Sequence, residues 1–436
     1  MLIRYIYTAL LAAASPFLMW GLYRHRTGKP SVGKRWKEHF GITPKLDCSH
    51  GPIWIHAVSV GETLAVTPLI KRLKAQYPHL RIVITTTTAT GAEQAEKLAG
   101  IAEHRYMPFD FPFAVRGFIN AIKPRQLLIM ETELWPNTLH TVAKANIPII
   151  VINARLSERS CQRYAKVQPI FDMLAKNLTQ VLCQYPDDAE RFIRLGVAKE
   201  KVSVTGSIKF DIEVSPKVKE EGQALRDQLG NNRPVWIAAS THNGEDEQVL
   251  AAHQEVLKSH PNALLMLVPR HPERFNDVFN LSKQKFSTVS RTEQNDRQLD
   301  TKIQVYLGDT MGEMLTLMEA ADICFMGGSL LGDKVGGHNM LEPAALGKPV
   351  LTGPSYYNFS EVVQLMLSNN AIIITPSAKA ISTSVVTLVN NRSQLIRQGS
   401  LSYQCILKSK GAIKNTIEAF IPYYKSEITF STQEDK

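Results

Sequence analysis

Short apolar segments alternate along this chain with longer segments in which apolar residues recur every three or four positions. The short segments are rich in β-branched residues and show little polar alternation, which predicts strands buried on both faces; the intervening segments predict helices that cover a parallel sheet. In the first half the predicted strands are 53–59, 81–87, 127–131, 147–153, 181–184 and 202–207. In the second half they are 234–240, 263–268, 304–307, 322–326, 349–352 and 371–375.

The two halves begin alike. PIWIHAV at 52–58 and PVWIAAS at 234–240 align on their tryptophans, and each is soon followed by Gly-Glu, at Gly61-Glu62 and Gly244-Glu245. This echo predicts two doubly wound domains, and we expect them to face a central cleft because open α/β sheets bind ligands at the carboxyl ends of their strands. The predicted bounds are 51–212 for the first domain, 213–232 for a linker with a helix in it, 233–424 for the second domain and 425–436 for a polar tail.

A different pattern precedes the first strand. Residues 5–23 carry no charge and would form a helix about 28 Å long at roughly 1.5 Å per residue, close to the roughly 30 Å bilayer core. Six Lys or Arg follow within the next 14 residues, and positive charge keeps its side of a membrane cytoplasmic. We therefore predict a membrane anchor at 1–23, a basic juxtamembrane segment at 24–50 and cytoplasmic domains. A cleaved signal peptide, suggested by Ala-Ala-Ala-Ser, and a buried helix of a soluble protein are the alternatives.

Composition narrows the class of protein. A chain of 436 residues with 44% hydrophobic and 21% charged residues is neither disordered nor a polytopic membrane protein. The net charge of +10 is concentrated in residues 1–47, which carry +6. Because that excess lies beside the predicted anchor, it favours an anionic membrane surface as partner and disfavours nucleic acid.

Cofactor signatures are absent from the sequence. The five cysteines are widely spaced and form no CxxC, so neither a disulfide framework nor a zinc site is indicated. Neither GxGxxG nor GxxxxGK[ST] occurs, which disfavours a nicotinamide or flavin enzyme and a phosphate loop.

Candidate chemistry in the first half lies just after predicted strands. Glu62 would project from a helix N-terminus, where a carboxylate can act as a general base, or it is an ordinary first-turn glutamate stabilised by the helix dipole. Glu131 and Glu133 follow the third strand, and half-buried acids are costly without a partner or a task. Lys209 could meet a phosphate or carboxylate, or simply pair with Asp211.

Three segments of the second half suit an anionic ligand. Arg270 lies in a proline-braced turn, and arginine binds anions and stacks on bases. Residues 311–313 begin a helix and present free N–H groups. In the glycine-rich segment 327–343, paired glycines let the backbone approach a ligand and Glu342 can accept hydrogen bonds from ribose hydroxyls; the alternative is a loop capped by Asn339 without a ligand. His338 lacks the spacing of a metal ligand.

Seven ordered motifs carry a family resemblance across nearly the whole chain: HAVSVGE (56–62), METELWPN (130–137), NARLS (153–157), GSIKFD (206–211), VPRHPERF (268–275), GDTMGEM (308–314) and GGSLLGDKVGGHNMLEPAALGKPV (327–350). They resemble the 3-deoxy-D-manno-octulosonic acid (Kdo) transferases of Gram-negative bacteria. The resemblance implies a GT-B fold, with the acceptor bound mainly by the first domain and the donor nucleotide by the second.

The resemblance also implies a reaction and its residues. The reaction is a metal-independent, inverting transfer of Kdo from CMP-Kdo to the 6′-hydroxyl of the lipid A precursor (lipid IVA) at the cytoplasmic face of the inner membrane, with no cofactor. The family's general base matches Glu62, and its transition-state stabilising positions match Glu131 and Lys209. Its CMP contacts match Pro269, Arg270, Met311, Gly312, Glu313, Asn339, Met340, Leu341 and Glu342.

Two other hypotheses remain open at this point. Another GT-B enzyme, such as a nucleotide-sugar epimerase or a hexosamine transferase acting on a lipid carrier, would share the fold. A membrane-tethered binding module with degenerate domains would be expected to lack some of Glu62, Lys209, Arg270 and Glu342, and all four are present.

Overall fold

The computed structural model describes residues 2–23, 31–47, 51–294 and 298–431, except the side chains of residue 18 and of 425–431. The chain divides into two compact units. The first comprises Met1–Asp211 with Lys410–Lys436, and the second comprises Ile212–Ser409. Each unit is built on one seven-stranded parallel sheet, so the predicted α/β class is confirmed.

The sheet of the first unit is doubly wound around its first strand. Its order is β3-β2-β1-β4-β5-β6-β7. The strands are β1 (Ile53–His56), β2 (Ile82–Thr86), β3 (Glu103–Tyr106), β4 (Gln126–Met130), β5 (Ile149–Ala154), β6 (Gln180–Cys183) and β7 (Val202–Val204). Six of them were predicted. Strand β3 was missed because it is an edge strand in which polar Glu103 and Arg105 alternate with buried residues.

The second unit repeats this plan around β8. Its order is β10-β11-β9-β8-β12-β13-β14. The strands are β8 (Val235–Thr241), β9 (Leu264–Pro269), β10 (Thr288–Ser290), β11 (Val305–Leu307), β12 (Ile323–Met326), β13 (Val350–Thr352) and β14 (Ile373–Ile374). The three-residue edge strand β10 was not predicted. The echoed tryptophans are both fully buried, and each indole N–H is satisfied: Trp54 donates to the Thr85 hydroxyl at 2.9 Å and Trp236 to His253 Nδ1 at 3.1 Å.

Helices connect successive strands. In the first unit they are α1 (Leu2–Tyr23), α2 (Val60–Gln76), α3 (Ala89–Glu96), α4 (Pro112–Ile122), α5 (Pro136–Lys144), α6 (Glu158–Ala165), α7 (Gln168–Ala175), α8 (Pro186–Arg194) and α17 (Ala412–Ser431). In the second they are α9 (Pro216–Leu229), α10 (Asp246–Ser259), α11 (Phe275–Lys283), α12 (Met314–Ala320), α13 (Leu341–Ala345), α14 (Ser360–Ser368), α15 (Ala378–Asn390) and α16 (Arg392–Ser409). Short 3-10 segments include Gly33–Phe40 and Ile208–Phe210.

Alternate residues of the buried strands fill two apolar layers in the first unit. On one side of the sheet, Trp54 and Leu127 pack with Phe118 of α4. On the other side, Ile55 and Leu128 pack against α2 and α17. Because both faces are covered, every residue of β1, β2, β4 and β5 is buried, which explains the near-continuous apolar runs.

Two of the predicted domain boundaries are corrected by the structure. Helix α17, which the prediction assigned to a second domain ending at residue 424, lies in the first unit: Ile417 and Phe420 join its core, and the Gln126 side chain donates to the Phe420 carbonyl at 3.2 Å. Helix α9, predicted as part of a linker, packs in the second unit, where Arg226 donates to the Ala320 carbonyl at 3.1 Å. Both are amphipathic helices, and an apolar stripe does not reveal which sheet it covers.

Helix α1 is the one helix in the described ranges that is long and apolar enough to cross a membrane. None of its most apolar stretch is buried, unlike the core helix of a soluble protein. Of the predicted basic segment, residues 24–30 and 48–50 lie outside the described residues.

Candidate active site

Glu62 lies one turn beyond the carboxyl end of the central strand β1. Ser59 caps α2, and its hydroxyl accepts a hydrogen bond from the Glu62 N–H at 3.3 Å. The Glu62 carboxylate in turn accepts the Ser59 hydroxyl at 3.0 Å and the Val58 N–H at 2.9 Å. This arrangement resembles a capping box, except that the carboxylate accepts the N–H of the residue before the N-cap. The first-turn interpretation is therefore correct as a description of the local geometry. The Glu62 carboxylate is half-buried at the surface, and its oxygens can still accept further hydrogen bonds from a ligand.

The surroundings of Glu62 favour its protonated form. Burial raises the pKa of Glu62 above its usual value, and the carboxylates of Glu131 and Glu133 raise it further, against the opposing hydrogen bonds from Val58 and Ser59. A raised pKa brings a carboxylate closer to neutral pH, where a general base must work. Because Glu131 and Glu133 raise the pKa of Glu62, all three predicted glutamates must lie close together at the carboxyl edge of the sheet.

Lys209 completes this cluster. Its Nζ lies 3.5 Å from Glu131 Oε1, and the two side chains are 35% and 28% exposed. Lys209 belongs to the 3-10 segment Ile208–Phe210, in which both neighbours are buried, so the lysine is the residue that turns outward. Asp211 is not its partner: that carboxylate accepts the backbone N–H groups of Gly411, at 2.6 Å, and Ile413.

Glu131 occupies a strained position. It follows β4 with φ 57°, a left-handed conformation that non-glycine residues rarely adopt. Its N–H is held by the Ile152 carbonyl at 3.0 Å. Strain of this kind persists where surrounding structure imposes it and is common at functional sites.

Asn153, at the end of the neighbouring strand β5, helps to position the cluster of Glu62, Glu131 and Lys209. It too has a left-handed backbone, with φ 51°. Its Oδ1 accepts the Ile208 N–H at 3.2 Å, which holds the segment that carries Lys209. In the sequence, Asn153 stands out only as part of the NARLS motif; a polar residue at a strand end was the available signal.

The segment that follows Glu131 is fixed at its far end, where it enters α5. The Trp135 indole donates to Glu133 at 3.2 Å and lies edge-on to His56, with ring centroids 5.2 Å apart. Pro136 begins α5, and a residue distant in sequence caps this helix: Asp110 accepts the N–H groups of Asn137 at 3.0 Å and Thr138 at 2.6 Å.

In the second unit, Pro269 ends β9 and Arg270 follows it with an exposed side chain. The Arg270 N–H bonds the Thr241 carbonyl at 3.0 Å. The turn is braced by Arg274, which pairs with the fully buried Asp246. Arg270 is therefore free of this bracing role and available to a ligand.

Residues 311–313 precede α12. Met311 is 66% exposed, and Gly312 has φ 87°. The Glu313 carboxylate is already engaged by Arg291, with an Nη2 to Oε1 distance of 3.1 Å, and this hydrogen bond lowers the pKa of Glu313. The backbone of this segment, rather than the Glu313 side chain, is what remains for a ligand.

The glycine-rich segment folds tightly against β8. A Cβ at Gly327 would lie 2.7 Å from the Ser240 carbonyl oxygen, so only glycine fits there. Just before α13, the Asn339 side chain accepts the Leu341 N–H at 3.2 Å and donates to Glu342 at 3.1 Å. Burial raises the pKa of Glu342, and the nearby Arg270 opposes that rise, which places these two predicted ligand residues close together.

Met340 and Leu341 are buried beneath the same segment. His338 forms a 2.8 Å Nε2 to Nε2 hydrogen bond with His242. Across the described ranges, no group of three His, Cys, Asp or Glu residues is arranged to hold a metal ion. The predicted site residues thus form two sets, one in each unit: Glu62, Glu131 and Lys209 in the first, and the nine predicted CMP contacts in the second.

The two doubly wound parallel sheets define a GT-B protein. UDP-GlcNAc 2-epimerase from Neisseria meningitidis superimposes with a TM-score of 0.57 over 86% of this chain and 100% of its own, at 14% identity. A glycosyltransferase from Rickettsia africae does so with a TM-score of 0.54 over 87% of this chain and 99% of its own, also at 14% identity. At these identities the likeness shows the fold alone.

Sequence comparison gives the family. The model described as 3-Deoxy-D-manno-octulosonic-acid transferase (kdotransferase) matches residues 34–212. The 3-deoxy-D-manno-octulosonic acid transferase of Haemophilus influenzae is 38% identical over 98% of this chain and 100% of its own length, and that of Bordetella pertussis is 32% identical over 84% and 86%. The chain belongs to the Kdo transferase family and is a glycosyltransferase, as the motifs predicted.

Proposed function

We propose that this protein transfers Kdo from CMP-Kdo to a hydroxyl of the lipid A precursor (lipid IVA) in lipopolysaccharide biosynthesis, with inversion at the sugar's anomeric carbon. The observation that carries the proposal is the convergence of Glu62, Glu131 and Lys209 at the strand ends of the first unit in a member of this family. A half-buried carboxylate near a lysine–glutamate ion pair is a suitable arrangement for a single displacement.

In the proposed step, Glu62 takes the proton from the attacking acceptor hydroxyl. The acceptor oxygen forms a bond to the anomeric carbon of Kdo while the bond from that carbon to the phosphate oxygen breaks, and CMP leaves with the electron pair. Since attack and departure occur on opposite faces, one base suffices and no covalent enzyme intermediate is needed. The raised pKa of Glu62 favours this role.

Lys209 supplies the positive charge of the first unit's set. An ammonium group at this place can stabilise negative charge on the sugar carboxylate or the leaving phosphate. Glu131, at 3.5 Å, orients the lysine. The strained backbone of Glu131 supports a functional role for the pair.

The donor nucleotide is assigned to the second unit. Arg270 is the exposed cation for the phosphate, and the backbone of Met311 to Glu313 offers N–H groups beside Gly312. Glu342, oriented by Asn339, is suited to accept from ribose hydroxyls. Arg270 can balance the phosphate charge within the second unit, so we propose that transfer needs no metal ion.

The site of action is proposed to be the cytoplasmic face of the inner membrane. Its support is the exposed apolar helix α1 together with the excess of basic residues in 1–47. An anionic leaflet attracts such a basic flank.

Mass spectrometry of the lipid product tests the proposal. Full-length protein incubated with CMP-Kdo and lipid IVA is expected to yield lipid heavier by one or more Kdo units, with activity retained in EDTA, and NMR of the new linkage should show inversion. Turnover with a UDP-sugar but not with CMP-Kdo would favour another GT-B enzyme. CMP binding without any lipid product would favour a binding module. Loss of activity in EDTA, restored by a divalent cation, would contradict metal independence.

A further inference from the structure

Helix α1 has two different faces. Its partly covered residues recur every three or four positions and so share one face; they are Arg4, Tyr7, Thr8, Leu11, Ser15, Met19 and Leu22. The opposite face is apolar and lies 51–78% exposed at Leu2, Tyr5, Ile6, Leu10, Phe17 and Trp20. The charged and small polar residues of the helix, Arg4, Thr8 and Ser15, all belong to the covered face.

The covered face is held by the first unit near the start of the helix. The Arg4 guanidinium donates to Asn137 Oδ1 at 3.3 Å, and the Asn137 amide donates to the Thr8 hydroxyl at 2.9 Å. The Tyr7 side chain is hydrogen-bonded to Asp110. Asn137 is the second residue of α5 and Asp110 accepts N–H groups at the start of that helix, directly after the segment that carries Glu131.

The other end of α1 is held by the same unit. The Tyr23 hydroxyl lies 2.7 Å from His39 Nδ1, and the two rings are 5.7 Å apart. Arg4 and Tyr23 are nineteen positions apart, a distance of about 28 Å along the helix. Both ends of the helix are therefore held by the first unit.

A helix that crosses the bilayer cannot make both sets of contacts. Its apolar length of about 28 Å would place Arg4 and Tyr23 on opposite sides of a core of about 30 Å, whereas Asn137 and His39 belong to one globular unit. We infer that α1 lies parallel to the membrane plane as an interfacial helix, with its apolar face in the lipid and its other face on the first unit. This inference rests on the proposed membrane association.

Exposed residues beside α1 extend the same surface. Phe113, 55% exposed, lies three residues after Asp110, and Trp36, 45% exposed, has its carbonyl 3.5 Å from the Tyr23 hydroxyl. The exposed Lys34 and Lys37 flank Trp36. An apolar and aromatic face bordered by lysines matches an anionic leaflet, the partner to which we assign this surface.

Arg35 does not take part in this surface. Its guanidinium donates to Glu38 at 2.8 Å, to Glu96 at 3.0 Å and to His104 Nδ1 at 3.0 Å. One of the basic residues that the sequence assigns to the membrane flank is therefore used inside the protein, to fix the segment Gly33–Phe40 on β3.

Protease accessibility of an N-terminal epitope tests the orientation in the full-length chain. An interfacial helix leaves the epitope on the cytoplasmic side, so it is lost on digestion of inside-out vesicles and retained in intact spheroplasts. Loss from spheroplasts would overturn the inference in favour of a spanning helix. A mature protein that lacks α1 by intact mass would overturn it in favour of a signal peptide.

Nitroxide labels give a second test in vesicles of phosphatidylethanolamine and phosphatidylglycerol. Labels at Leu10 and Phe17, on the exposed face, are expected to contact lipid-dissolved oxygen at similar shallow depth, while a label at Leu11 is shielded by the first unit. Cys48→Ser provides the background, since the other four cysteines are buried. Equal lipid exposure at Leu10 and Leu11 would contradict the inference. Neither test uses Kdo transfer, so an inactive enzyme with this topology refutes the proposed function alone.

Discussion

Glu62 and Glu245 occupy corresponding places in the two units, yet their carboxylates are used in opposite ways. Each follows a central strand that carries a buried tryptophan and begins the next helix. Glu245 is fully buried and accepts four backbone N–H groups, from His242, Gly328, Ser329 and Leu330, at 2.6–3.0 Å. Glu62 is half-buried and accepts one backbone N–H and one hydroxyl. Of the two equivalent acids, only Glu62 has acceptor capacity left for a substrate.

Glu62→Gln is expected to reduce Kdo transfer by about two orders of magnitude or more, because the amide cannot take a proton. CMP affinity and the unfolding midpoint should stay near those of the wild type, measured by calorimetry and by thermal denaturation. Glu190→Gln, an equal change of charge at an exposed position of α8, is the control. Activity within about tenfold of the wild type would rule out Glu62 as the base.

Glu245→Gln is expected to affect stability instead. The amide group would turn an N–H donor toward buried N–H donors, and the loss of a buried, fully bonded carboxylate costs about 2–4 kcal/mol. The unfolding free energy of the second unit should fall by that amount in urea titrations, and CMP affinity should fall with it because the glycine-rich segment loosens. Glu247→Gln, on the exposed side of α10, should change neither quantity; an unaltered urea midpoint in Glu245→Gln would refute the structural role.

Lys209→Met should separate catalysis from stability. Its ion pair with Glu131 is about one-third exposed, so its removal should change the unfolding free energy by less than about 1 kcal/mol. The value of kcat is expected to fall by about two to three orders of magnitude, since charge in the transition state loses its partner. If Glu131 acts by orienting Lys209, the double variant with Glu131→Gln should be no slower than Lys209→Met alone. Additive losses would mean that Glu131 has an independent role.

The acidic limb of the pH profile reports Glu62. A base works only when deprotonated, so kcat/KM should fall as the pH drops through the raised pKa of Glu62. The negative charge of Glu133 is one of the causes that raise the pKa of Glu62. Glu133→Gln should therefore lower the pKa of Glu62 and move the limb to lower pH. A limb that stays in place in this variant would show that another group controls it.

Acid should destabilise the first unit through His104. Its ring is buried, Nδ1 accepts from Arg35, and Nε2 lies 3.0 Å from the Thr86 hydroxyl, which requires the neutral form. Burial, with Arg35 and Arg105, lowers the pKa of His104 from 6.5 to about 3. The unfolded state therefore binds the proton first, and stability present above pH 6.5 is lost as the pH falls toward 3.

The measurement is urea unfolding followed by circular dichroism at two pH values. Between pH 6.5 and about pH 5 the wild type should lose about 1.6 kcal/mol more than His104→Asn, since the unfolded histidine becomes fully protonated over this range and each further pH unit is worth about 1.4 kcal/mol per proton. His79→Asn, at an exposed position, should keep the wild-type slope. Equal losses in all three proteins would exclude His104 as the cause.

Much of the fold and of the candidate site could be predicted because it depends on patterns among residues that are close in sequence. Continuous apolar runs belong to strands covered on both faces, and twelve of the fourteen strands were found this way. Glu62 and Glu131 follow the neighbouring strands β1 and β4, and parallel strands deliver their carboxyl ends to one edge, so their proximity could be expected from the sequence. Lys209 follows β7, three strands away from β4, and only the tertiary structure brings it to Glu131. The edge strand β3 was missed because only one of its faces is buried, so polar residues interrupt its apolar pattern.

By itself, then, the sequence determined two parallel α/β units, the strand ends at which the chemistry is concentrated, and an uncharged apolar helix near the start of the chain. Only the tertiary structure decided the partners. Lys209 pairs with Glu131 and not with Asp211, and α17 packs on the first unit and not on the second. Arg35 binds Glu38 inside the protein and does not face the membrane. Local periodicity is a property of neighbouring residues, and the sequence contains it. A long-range partner is chosen among many chemically equivalent groups by the topology that brings one of them within reach.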